Sequence, residues 1–197
     1  MKRNISLMLL AVLSAGCVTN TYTLVPTGTT QVGNLAVSPG LNWNLAPKIH
    51  TPIARRESQS WTRDGLNLNR LIVIPAVPDG EPIFKAPQKS AALPVFRTGM
   101  LPNEIVELAE SSIEKLFGEG DSVIETDNLR PHRFGDQIGV LFDLRMSLAT
   151  GPRYRGLVGS FAAADGLYLI IYLAADPHYY EKYRQEAEWI ITNSHLM

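Results

Sequence analysis

The chain has 197 residues, with 18 lysines and arginines against 19 aspartates and glutamates, 45% hydrophobic residues, 19% charged ones and a single cysteine. Those proportions belong to a globular protein with a real core. They carry no basic excess of the kind a nucleic-acid partner requires, and one cysteine excludes an intramolecular disulfide framework.

Met1-Lys2-Arg3-Asn4 is a short cationic start, Ile5 to Leu13 is apolar apart from Ser6, and small residues lead into Cys17. This is the three-part layout of a secretory signal. Its apolar part is about half the ~20 residues that a membrane-spanning helix needs. Leu13-Ser14-Ala15-Gly16-Cys17 resembles the lipobox of bacterial lipoproteins, in which the cysteine receives a thioether-linked diacylglycerol and the peptide before it is removed. The resemblance implies a signal peptide over 1–16 and a lipid on Cys17; the other reading is that Cys17 is an ordinary small residue near a cleavage site. Two or three acyl chains would hold the protein stably at a membrane where one is marginal, at roughly 0.8 kcal/mol per buried CH₂. By similarity to enteric-type sorting, Val18 in place of aspartate favours the outer membrane, with the protein facing the periplasm. Loss of Lys2 and Arg3 would take the net charge from −1 to −3.

Residues 17–52 read as lipid anchor, tether and extended segment, rich in Thr, Asn, Gly and Pro and almost without charge. Tyr22 to Val25 and Gln31 to Val37 are expected as short strands on either side of Pro26-Thr27-Gly28. The alternation in Leu41-Asn42-Trp43-Asn44-Leu45 turns Trp43 inward together with both leucines. Residues 53–197 form the expected globular domain. Gln59 to Val77 reads as a hairpin turning at Asp64-Gly65, and the unbroken run Leu71 to Ile74 marks a strand buried on both faces. Asp79-Gly80 turns the chain into Pro82-Ile83-Phe84, and Lys85 to Pro94 reads as an exposed loop. Trp61-Thr62-x-Asp64-Gly65-Leu66-x-Leu68 with Asp79-Gly80-Glu81-Pro82 resembles a group of uncharacterised proteobacterial envelope lipoproteins, a resemblance that implies location but no activity.

Pro102 to Phe117 is the first helix, with Pro102 in its first turn and Glu104 and Glu107 near the positive end of its dipole. Ile105, Ala109, Ile113, Leu116 and Phe117 form its apolar stripe, while Glu107, Glu110, Glu114 and Lys115 form a solvated face. Gly118-Glu119-Gly120-Asp121 stops it. An antiparallel meander follows: a strand over Ser122 to Asn128, a loop over Pro131 to Asp136, and then Val140, Phe142, Leu144, Met146 and Leu148 alternating with Asp143, Arg145 and Ser147. Thr150-Gly151-Pro152 and Asp165-Gly166 supply the next turns, and Leu167 to Ala175 is a central strand. Asp176 is expected to cap the last helix with Pro177 in its first turn, and Tyr180, Tyr183, Ala187, Ile190 and Ile191 line its inner face. The class is α+β, an antiparallel sheet packed against two main helices at about 102–117 and 177–193. Its element order resembles, in layout only, the PsbP and Mog1 type of α/β/α sandwich.

No arrangement carries catalysis on its own, and no metal or cofactor site is expected. Gly156-Leu157-Val158-Gly159-Ser160 lacks the spacing of a nucleophile elbow, and His50, His132, His178 and His195 lack metal-ligand spacing. Two basic clusters, Arg130-Pro131-His132-Arg133 and Arg153-Tyr154-Arg155, are either local contacts for an anionic envelope polymer or exposed turn residues. If they bracket one strand, they lie on the order of 35 to 40 Å apart and share no site. Trp189 falls opposite the apolar stripe of the last helix, among Lys182, Gln185 and Glu186. It is either covered by the chain's own N-terminal segment or by a partner, or it is core in a helix buried on two sides. The reading is therefore a lipid-anchored, non-catalytic envelope protein that binds a protein or an envelope polymer. A small-ligand-binding accessory lipoprotein is the alternative, and an envelope enzyme comes third.

Overall fold

The structure, a computed structural model, describes residues 21–48, 57–85, 92–117, 122–149 and 151–197. The lipobox with Cys17, the tether up to residue 20 and over 49–52, His50, residues 86–91, the helix stop at 118–121 and Thr150 lie outside the described residues. The elements are β1 (Thr23–Val25), β2 (Thr30–Val32), β3 (Leu35–Val37), β4 (Trp43–Leu45), β5 (Gln59–Thr62), β6 (Asn69–Val77), α1 (Pro102–Phe117), β7 (Ser122–Phe134), β8 (Gln137–Leu148), β9 (Arg153–Ala163), β10 (Gly166–Ala175), α2 (His178–Thr192) and β11 (His195–Leu196).

Among the described residues, eight strands form one sheet in the order β1-β4-β5-β6-β10-β9-β8-β7, and β11-β3-β2 form a small second sheet. Every described pairing is antiparallel. The sheet is thus larger than a meander, because β10 also pairs with β6 and joins the meander to the earlier hairpin. β10 and β6 lie mid-sheet, and Leu167 to Tyr172 and Leu71 to Ile74 are buried without a break. Successive side chains point to opposite faces, so two cores result. Ile72, Ile74, Leu169 and Ile171 pack with Phe142, Leu144 and the α1 residues Ile105, Ala109 and Ile113. Leu71, Val73, Ile170 and Tyr172 pack with Leu157, Phe161 and the α2 stripe Tyr180, Tyr183, Ala187, Ile190 and Ile191. In α1, Leu101 donates its amide to Glu104 Oε2 at 2.6 Å, satisfying one orphan donor of the first turn.

Several expectations are corrected. Gln31 to Val37 is not one strand: Gly33, at φ +61°, turns the chain so that Val32 pairs with Leu35. Leu41 is exposed, since its segment is a loop held by its amides, while Leu45 packs on the core. Leu66 to Leu68 form a turn instead of strand, closed by the Leu68 and Asn69 amides on Gly65 O. Leu93, within the expected loop, is buried. Pro131 to Phe134 continue β7, because this strand is the outer edge of the sheet, where a proline without an N–H is tolerated. A register shift between Asp127 and Arg130, with Asn128 at φ 53°, absorbs the break in alternation. Asp176 makes no cap hydrogen bond; its carboxylate lies 3.7 Å from Arg155. Glu110 is not merely solvated, for it accepts from Thr126 Oγ1 at 2.9 Å.

Central burial sets the first expected outcome. In Ile171→Asp a carboxylate without a partner loses several kcal/mol of hydration out of a total of about 5 to 15 kcal/mol, so cooperative thermal unfolding should disappear. Asp143→Asn, half-buried beside Arg130, should cost about 1 kcal/mol or less. Comparable melting curves for the two variants would contradict this topology.

Candidate functional site

The C-terminal helix organises the surface on its side of the sheet. Its inner stripe is apolar, and its outer residues reach sideways to tie down loops. Glu186 Oε1 accepts from the amides of Gly40 and Leu41 at 2.8 and 2.9 Å and lies 3.5 Å from the indole nitrogen of buried Trp43. One carboxylate therefore fixes the β3–β4 loop against α2. One turn further along, Trp189 is 56% exposed, and Leu41 on the clasped loop is 41% exposed. The structure places Trp189 outside the core, with its carbonyl accepting from the amide and side chain of Asn193.

A second tie lies earlier in α2. Lys182 Nζ contacts both oxygens of Asp64 at 3.1 Å, and Asp64 also accepts from Asn69 Nδ2 at 2.9 Å. Asn69, fully buried, takes the hydroxyl proton of Thr62 and the amide of Arg63, so the β5–β6 loop is fixed from within. The Tyr183 hydroxyl and the Asp64 carboxylate hold Lys182 above the usual lysine range. The guanidinium of Arg63 sits 5.0 Å from the Tyr183 ring centre and donates to Asn42 O.

Beyond the start of α2 the sheet face is open and charged. Cross-strand register sets Glu125 opposite Arg145 and Arg145 opposite Arg155, while Asp127 stands opposite Asp143. Two carboxylates directly opposed would repel. Each is taken by an arginine, Arg145 to Asp127 at 2.6 Å and Arg130 to Asp143 at 3.3 Å. Arg155 pairs with Glu181 at 2.8 Å and lies 4.2 Å over the Tyr180 ring. Burial raises the Tyr180 phenol, an effect that Arg155 opposes. A cleft of about 510 Å³ opens here, lined by Glu125, Arg145, Arg153, Arg155 and Asp176 among others.

The two basic clusters are closer than a single-strand span implies, because β7 runs on to Phe134 and folds its cluster back along β8. Arg130 faces Leu141 and Arg155 faces Arg145, which puts them roughly 13 Å apart along the strand and about 10 Å across it. They still form no common grip, since each is bound by its own carboxylate. Arg133 and Arg153 are exposed, and no carboxylate pairs with either among the described residues. Sequence reasoning missed Glu186, Lys182 and Asp64 as ties and Glu125 and Arg145 as cleft walls. Their partners lie on other elements and carry no local signal. Among the described residues, no group of three or more His, Cys, Asp or Glu could hold a metal ion.

No family model matches this chain, and no curated protein matches it. Among solved structures it is similar to the solution structure of cyanobacterial PsbP (CyanoP) from Synechocystis, at 8% identity and a TM-score of 0.47, over 92% of this chain and 96% of that one.

The Glu186 clasp gives a measurable expectation. Glu186→Ala hands two exposed amides over to water and should cost about 0.5 to 1.5 kcal/mol. Amide exchange should accelerate at Gly40 and Leu41 first. Glu186→Gln keeps an acceptor oxygen and should protect both amides better than alanine does.

Proposed function

We propose that this is a lipid-anchored cell-envelope protein, held through Cys17, that presents a non-catalytic domain for binding an envelope protein or polymer. The lipobox-like Leu13-Ser14-Ala15-Gly16-Cys17 supports the anchor, and Val18 favours the outer membrane with the domain facing the periplasm. No helix among the described residues is long and apolar enough to cross a membrane, so those helices supply no second anchor. The observation that carries the binding role is Trp189: a large aromatic ring on the outer face of α2, beside a loop that Glu186 holds in place. Tryptophan is enriched where interfaces concentrate their energy, often at about 2 kcal/mol or more on truncation. A rigid surround lowers the entropic cost of using it. Arg133 and Arg153 are secondary contacts for an anionic polymer or an acidic protein surface.

Two variants test the halves separately. Cys17→Ser should move the protein from the membrane fraction to the soluble periplasmic fraction, or leave it unprocessed; tight membrane retention after correct processing would refute the anchor. Trp189→Ala should leave the melting temperature nearly unchanged, within about 0.5 kcal/mol of stability, while abolishing crosslinks to a partner in intact envelope. A large drop in melting temperature would assign the ring to packing instead.

A further inference from the structure

Arg70 stands near the start of β6, on the sheet face that carries Ile72 and Ile74, with Leu173 beside it on β10. It is half-buried. Among the described residues no carboxylate pairs with its guanidinium, and none of its nitrogens is sealed from solvent. Burial lowers it from the ordinary arginine range, an effect partly offset by the phenols of Tyr154 and Tyr22. An arginine that is desolvated without an acid partner is a stability cost. Costs of this kind are retained where a ligand uses the group.

Arg70 borders a hollow of about 360 Å³ that Tyr22, Leu66, Asn67 and Leu68 also line. Asp64 also lines it, but its oxygens are engaged by Lys182 and Asn69 and leave Arg70 uncompensated. The Tyr154 hydroxyl donates to Asn67 O at 3.1 Å and so braces the loop that forms one wall. The hollow is an open, largely polar depression in which Arg70 has no carboxylate of its own, unlike Arg130, Arg145 and Arg155, which each have one.

We propose that the hollow at Arg70 binds a phosphate group, with the planar guanidinium donating to two of its oxygens. The phosphate belongs either to a membrane-lipid headgroup or to a small soluble phosphate ester. The first source rests on the lipid-anchor reading. Tyr22 is five residues past Cys17, so the hollow would lie within about 17 Å of the acyl chains along an extended tether. The site itself does not depend on that reading.

The test uses the full chain carrying Cys17→Ser, so that no acyl chain contributes, with glycerol 3-phosphate as the soluble probe. Glycerol 3-phosphate should bind saturably, and Arg70→Met should weaken it by about tenfold or more while melting no lower than its parent in the absence of ligand. Equal affinity in the two proteins would overturn the proposal, as would acetate binding as tightly as the phosphate ester. A lower melting temperature for Arg70→Met would also overturn it, by showing that the guanidinium is kept for folding. Arg70→Lys is the second arm. It keeps the charge and loses the fork, so weaker binding at an unchanged melting temperature supports the site and unchanged binding refutes it. Vesicles of phosphatidylglycerol then separate the sources: Arg70-dependent co-sedimentation identifies the headgroup, and its absence alongside glycerol 3-phosphate binding identifies a soluble ester. Membrane fractionation of Cys17→Ser judges the anchor independently of each of these results.

Discussion

Two-sided burial of the β6 and β10 pair is the constraint on which the other elements depend. Strands apolar on both faces require a cover on each; α2 supplies one, and on the other face α1, lying over β7 and β8, shares the core with Ile83, Phe84, Leu93 and Phe96. Burial at this depth leaves polar atoms no water, and those on β9 and β10 find partners within the protein. The Tyr172 hydroxyl donates to Tyr179 O at 2.9 Å and Ser160 Oγ to Tyr168 O at 2.9 Å. The Tyr168 hydroxyl donates to Asp165 Oδ2 at 2.6 Å, an oxygen that also accepts from Asn34, so the turn before β10 and the β2–β3 turn are locked together. Close approach is demanded as well. A Cβ at Gly159 would come within 2.3 Å of Ile191, so α2 sits against β9 at a distance only glycine permits.

The same accounting explains why the loops are ordered. Buried Asn69 uses its amide and carbonyl on Asp64, Arg63 and Thr62, and Glu186 serves two loop amides. Neither anchor is apolar, yet each fixes a surface segment: Asn69 satisfies groups that are out of reach of water, and Glu186 gathers two amides that water would otherwise take. Trp189, Leu41 and the rim of the Arg70 hollow are therefore presented by fixed segments.

Much of this was legible in the sequence where periodicity reports burial directly. The α2 stripe, the α1 boundaries, the double-faced run Leu71 to Ile74 and the alternation from Val140 to Met146 all follow from spacing. The misreadings share a cause, namely local chemistry overruled by tertiary position. Pro131 signals a loop unless the strand is known to be an edge, and Asp176 signals a cap unless Arg155 is known to stand across from it. The Gly33 turn is the exception, since Gly33-Asn34 between Val32 and Leu35 is a local two-residue hairpin signal. The candidate sites were least legible, because Arg70 differs from Arg145 only in which strand lies beside it.

That difference separates two kinds of surface on one domain. Around Arg130, Arg145 and Arg155 the positive charges have their own carboxylates, and exposed pairs of this sort contribute little net free energy and little long-range field. A partner meeting those pairs gains little from bulk attraction beyond what unpaired Arg153 at the cleft edge supplies, and must match the fixed order of donors and acceptors across β7, β8 and β9. At Arg70 the reverse holds: one charge, partly withdrawn from water and left without a counter-charge among the described residues, favours an anion whose oxygens can take both arms of the guanidinium fork. Charge balance makes the first face tolerant and selective by geometry. Charge imbalance makes the second selective by chemistry.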